Sequence, residues 1–140
     1  MQVQQVMTRN VEYIPSDTSL ANAAMKMRDA DIGFLPIGNS DEDKLQGVIT
    51  DRDIVVRAIA TGQDPQQTTV SEAKTDKVLY CFEEDSVEEA ADSMRKQQVY
   101  RLIVLNNRDE KRLAGIVSLG DVVRHDKEEL AGETARGITS

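Results

Sequence analysis

The chain has 140 residues, 39% of them hydrophobic and 30% charged, with a net charge of −8 divided equally between its two halves. That length suits one ordinary domain or two small units too weak to stand apart. The acidic balance disfavours nucleic acid and anionic membrane surfaces, which both need phosphate-neutralising cations. A single cysteine, Cys81, and a single histidine, His125, exclude an intramolecular disulfide and a Cys- or His-rich metal site.

The N-terminal "MQVQQVMTRN" has no long apolar run, so neither a signal peptide nor a membrane span is expected, and a cytoplasmic location is the default. Residues 11–14 are β-rich and read as a first strand. "DTS" then supplies an N-cap for a helix whose buried face is Leu20, Ala23, Ala24 and Met27, at i, i+3, i+4 and i+7. "FLPI" reads as a short apolar strand, "NSDEDK" as a polar connector, "GVIT" as the next strand and "DIVVRAIA" as a helix.

The same order then recurs. Residues 78–82 read as a strand, with Cys81 as a buried, inert thiol inside "VLYCF". "EDS" caps a helix that buries Val87, Ala90, Ala91 and Met94. "RLIV", the connector "NNRDEKR", "GIVS" and the helix "DVVRHDKEEL" follow. A shift of 67 places aligns Ser19 with Ser86 and Met27-Arg28 with Met94-Arg95. One inserted residue later, a shift of 68 aligns Thr50 with Ser118 and Asp53 with Asp121. The chain is therefore an internal repeat of two β-α-β-β-α units. The expected boundaries are 1–62 for the first repeat, 63–72 for a linker, 73–127 for the second and 128–140 for a tail whose end is mobile. A unit this small cannot cover both faces of its own sheet, so the two should pack sheet to sheet as a pseudo-two-fold pair, an α/β (α+β) fold.

The echo of "GVITDRD" in "GIVSLGD" has two readings. Thr50 with Asp53, and Ser118 with Asp121, approximate a capping box at a strand-to-helix junction, worth about 1 kcal/mol. The same junction offers unpaired N–H groups and a positive dipole end to a phosphate. The carboxylate can accept from two neighbouring hydroxyls, as on a ribose. Hydroxyl plus carboxylate there suggests a phosphorylated nucleoside.

The tandem units, with "GVITDRD", "GIVSLGD", "DTSLANAAMKM", "DSVEEAADSM", "GFLPI" and "YRLIV", resemble the cystathionine-β-synthase (CBS) domain pair, or Bateman module, over about residues 3–126. The resemblance implies a stand-alone regulatory module, not an enzyme, that binds an adenine nucleotide in clefts between its repeats and works as a homodimer on an unknown effector protein. AMP comes first among AMP, ADP, ATP and NAD(H), with S-adenosylmethionine also used in the family, and no cofactor or metal is required. An NAD(H)-binding variant and a structural, partner-binding dimer with vestigial clefts are the alternatives. Carried over, one cleft combines Thr50 and Asp53 with Thr75, Tyr80, Tyr100 and Arg101, and the other combines Ser118 and Asp121 with Thr8, Tyr13, Gly33 and Phe34. Arg101 stands where the family often places a phosphate-binding cation, and Phe34 holds the matching position without charge. The Thr50 cleft is thus expected to favour the phosphorylated ligand.

Overall fold

The computed structural model describes residues 1–39, 44–124 and 138. Most of the connector "NSDEDK", the residues after Arg124 of the last expected helix, His125 and all of the tail but Ile138 lie outside the described residues. The chain forms two compact units, residues 12–78 and residues 1–11 with 79–140. These units differ from the expected repeat boundaries, because each repeat is completed by the segment that precedes the other in sequence.

In the unit of residues 12–78, helix α1 (Leu20–Ala30) is capped by Ser19, whose hydroxyl accepts from the Asn22 amide. Strands β1 (Phe34–Asn39) and β2 (Lys44–Thr50) pair antiparallel. Helix α2 (Asp51–Asp53) continues directly as a π-helix over Ile54–Ile59. The short helix α3 (Val70–Ala73) follows. The expected first strand shrinks to one parallel bridge between Ile14 and Ile37. The expected linker belongs to this unit, since the amides of Leu20 and Ala21 donate to the carbonyls of Thr68 and Pro65.

In the other unit, β3 (Tyr80–Phe82) runs parallel to β4 (Arg101–Leu105), which pairs antiparallel with β5 (Leu113–Ser118). Helix α4 (Val87–Gln97) has Ser86 as its cap, and α5 (Leu119–Arg124) leaves β5 without a loop. Both long helices end on a left-handed residue, Asp31 at φ 54° and Gln98 at φ 58°, and both hairpins carry an irregularity after the equivalent Ile37 and Val104. The repeat therefore extends to backbone detail.

Each unit has its own core. One holds Ile14, Leu20, Ala23, Met27, Ile37, Ile49, Ile54 and Val70. The other holds Val3, Val6, Met7, Cys81, Val87, Met94, Leu102, Val104 and Val117. Fully burying one such Leu, Ile or Met side chain contributes about 1.5–3 kcal/mol. Ala24, expected on the buried face of α1, is exposed, whereas its counterpart Ala91 is buried. Ala24 lies at the edge of the stripe that Leu20, Ala23 and Met27 define. Helix α4 packs on both α5 and β4, which covers a wider stripe.

The glycines of the repeated motif have a steric cause. Thr75 pairs with Val48 of β2, and Thr8 pairs with Ile116 of β5. A Cβ on Gly47 would stand 3.1 Å from the Thr75 carbonyl oxygen, and one on Gly115 only 2.4 Å from that of Thr8. Replacing Gly115→Ala is therefore expected to cost about 1–3 kcal/mol by overpacking. Gly120→Ala, whose added carbon meets nothing closer than 3.6 Å, should be neutral or stabilising. Urea midpoints of the two variants check this; equal midpoints would contradict it.

Candidate functional site

Each strand-to-helix corner is closed by a reciprocal pair of hydrogen bonds. At the first, the Asp53 amide donates to Thr50 Oγ1 at 3.0 Å, and the Thr50 amide donates to Asp53 Oδ2 at 3.0 Å. At the second, the Asp121 amide donates to Ser118 Oγ at 3.1 Å, and the Ser118 amide donates to Asp121 Oδ2 at 2.9 Å. Both carboxylates are buried, Asp53 at 7% exposure and Asp121 at 3%. A buried carboxylate needs donors or a counter-ion, and both kinds are present. Thr75 donates its hydroxyl to Asp53 at 3.1 Å from Oδ2 and 3.2 Å from Oδ1. Arg57 Nε lies 3.6 Å from Asp53 Oδ1, and its Nη1 donates to the Lys74 carbonyl at 3.0 Å. Arg124 Nη2 bonds to Asp121 Oδ1.

The helix amides at the first corner are already used. The Asp51 amide donates to the Gly33 carbonyl at 3.0 Å, that of Arg52 to Asp51 Oδ1 at 2.8 Å and that of Asp53 to Thr50. At the second corner the Leu119 amide donates to the Tyr100 carbonyl at 2.9 Å. The expectation of unpaired N–H groups for a phosphate therefore does not hold at the first corner, because the turn that forms the cap consumes them.

The other expected site residues divide between the units. Thr50, Asp53 and Thr75 come together as expected, but the residues next to them within the unit are Gly33 and Phe34, with Phe34 opposite Thr50 in the sheet. Arg101 is opposite Ser118, and Tyr100 is held to the same corner through its carbonyl. This arrangement follows from the hairpins: the first residue of β1 or β4 must pair with the last of β2 or β5. Tyr100 is exposed at 45%, and Arg101 is exposed as well. Tyr80 is exposed and meets Phe82 edge-on at 5.6 Å. Tyr13 is buried, with its ring against Gly38. Thr8 forms its backbone bridge, but among the described residues its hydroxyl does not bond to Asp121 as that of Thr75 does to Asp53. Sequence reading missed Arg57, Lys74 and Arg124. The signal for the two arginines is a cation one helical turn after each motif Asp.

The CBS-domain profile matches residues 3–59 and 70–128. The chain belongs to the CBS-domain family. It is 37% identical over 135 residues to hypoxic response protein 1 of Mycobacterium tuberculosis, covering 96% of this chain and 92% of that one. It is 34% identical to YlbB of Bacillus subtilis, covering 98% and 90%. Among solved structures, hypoxic response protein I with two coordinated zinc ions matches with a TM-score of 0.76 at 38% identity over 89% of this chain and 98% of that one. The CBS pair of protein MJ0100, in complex with 5′-methylthioadenosine and S-adenosyl-L-methionine, matches with a TM-score of 0.78 at 27% identity over 92% and 98%. In this CBS chain no three potential metal ligands cluster among the described residues. No helix among the described residues is long and apolar enough to cross a membrane.

Cys81 is buried in the core of its unit. Burial, and then the nearby charge of Asp85, push its thiol up to about 12 from 9.0. The thiolate is the reactive form, so native protein at pH 8 should resist thiol reagents while urea-unfolded protein reacts fully. The raised value also means that stability is complete below the unfolded pKa and falls as pH rises from about 9 toward 12. Rapid labelling of native protein would contradict the burial.

Proposed function

We propose that this CBS pair is a regulatory module that binds an adenine nucleotide, AMP first, with Asp53 and Asp121 accepting from ribose hydroxyls. The observation that carries the reading is the division of labour within each carboxylate. Oδ2 closes the cap and Oδ1 faces only side-chain groups that can move. A carboxylate has about four acceptor positions, so capping and ligand binding are compatible. Support also comes from MJ0100, a solved relative that holds two adenosyl ligands. With the helix amides of the first corner occupied, phosphate recognition there falls to side-chain cations. At the second corner Arg101, exposed beside Ser118, is a cation for the phosphate, with Tyr100 next to it as a surface for the base. Thr75, Phe34 and Gly33 complete the surroundings of Asp53. Ligand binding would act by shifting the populations of two conformations, with no catalytic step, in the cytoplasm.

The test is thermal stability with AMP, ADP, ATP, NADH and S-adenosylmethionine. A ligand at 100 times its dissociation constant stabilises by about 2.7 kcal/mol. AMP should raise the melting temperature of the wild type, and Asp53→Ala with Asp121→Ala should abolish that rise. An equal rise in the double variant would remove the carboxylates from the site. A rise with NADH alone would favour the NAD(H) variant.

The module is also proposed to act as a homodimer. Val55, Val56 and Ile59 on the π-helix are exposed at 57%, 46% and 51%, three large apolar side chains within one short element. Light scattering should give twice the 15.5 kDa chain mass, reverting to one chain in Val55→Glu with Ile59→Glu. A wild-type monomer at micromolar concentration would contradict this.

A further inference from the structure

Arg57 and Arg124 lie outside the repeated "GVITDRD" and "GIVSLGD" motifs, yet each meets the carboxylate oxygen that the cap amide leaves over, which at Asp53 also takes the Thr75 hydroxyl. Asp53 Oδ2 takes the Thr50 amide, and Asp121 Oδ2 takes the Ser118 amide. In both, the arginine meets Oδ1. A ribose hydroxyl reaching Oδ1 must therefore share it with a guanidinium or displace one.

The two corners reach this contact by different spacings. Arg57 is four residues after Asp53 and Arg124 is three after Asp121. Both spacings bring a side chain back over the residue one turn earlier, so the cation meets the same oxygen from the π-helix Ile54–Ile59 and from α5.

These arginines are also suited to exchange. Their side chains are 55% and 67% exposed, so the guanidinium can leave without unfolding the corner, with Arg57 also giving up its bond to the Lys74 carbonyl. A neutral nucleoside that takes Oδ1 leaves the guanidinium without its counter-ion. A nucleotide restores one, because a guanidinium binds phosphate through two parallel hydrogen bonds.

On the nucleotide reading above, we propose that Arg57 and Arg124 are specificity residues that yield Oδ1 to a ribosyl ligand carrying an anion and withhold it from a neutral one. Calorimetric titration of the full chain with AMP and with adenosine tests this. In Arg57→Met with Arg124→Met, which keep the apolar stems, adenosine should bind more tightly and AMP about tenfold more weakly, a loss of the size expected for one charge-assisted contact. Arg57→Lys with Arg124→Lys should retain most of the preference for AMP, and serves if the Met pair melts early. An unchanged AMP-to-adenosine ratio in the Met pair, or loss of the AMP preference in a folded Lys pair, with wild-type binding intact, overturns this proposal alone. Wild-type binding of neither ligand overturns the nucleotide reading and this proposal together.

Discussion

Each half of the chain turns on one buried carboxylate that closes a strand-to-helix corner from both sides. Thr50 and Asp53, and again Ser118 and Asp121, exchange amide and side-chain hydrogen bonds across three residues. The exchange fixes where the strand stops and the helix begins. It also places an anion at less than a tenth exposure, where it must be matched. Thr75, Arg57 and Arg124 are the matches. At the first corner the helix amides are also occupied, so it suits a ligand that donates hydrogen bonds better than a bare phosphate. The cap and the site are thus one construction.

The two corners are equivalent in plan and different in detail. Asp53 has a hydroxyl from the crossing segment and a more distant arginine; Asp121 has a closer arginine and no such hydroxyl among the described residues. Arg101 stands beside the Ser118 corner, and Phe34 beside the Thr50 corner. The two corners thus present unequal charge. This gives the pair a physical basis for different ligand preferences at its two motifs.

Much of this was legible in the sequence because it rests on local rules. The Ser19 and Ser86 caps, the buried stripe of α4 and the Thr50–Asp53 and Ser118–Asp121 pairs all follow from spacing within one turn. Thr75 beside Asp53 was reached only through family resemblance, since 22 residues separate them. Three features were not legible. The expected first strand is held at Ile14 alone, a single bridge that β propensity does not distinguish from a strand. The pairings of Thr8 with Ile116 and of Thr75 with Val48 join residues far apart in sequence and depend on the close approach that Gly115 and Gly47 permit. The roles of Arg57 and Arg124 rest on side-chain contacts that the spacing of charges alone does not fix.

A crystal structure with AMP bound tests whether Oδ1 of Asp53 or Asp121 receives a ribose hydroxyl while Oδ2 remains in the cap. The expected result is a ribose oxygen within hydrogen-bond distance, about 2.5–3.0 Å, of Oδ1, with the Thr50 or Ser118 amide still on Oδ2. AMP bound elsewhere, with both Asp–Arg contacts intact, would contradict it.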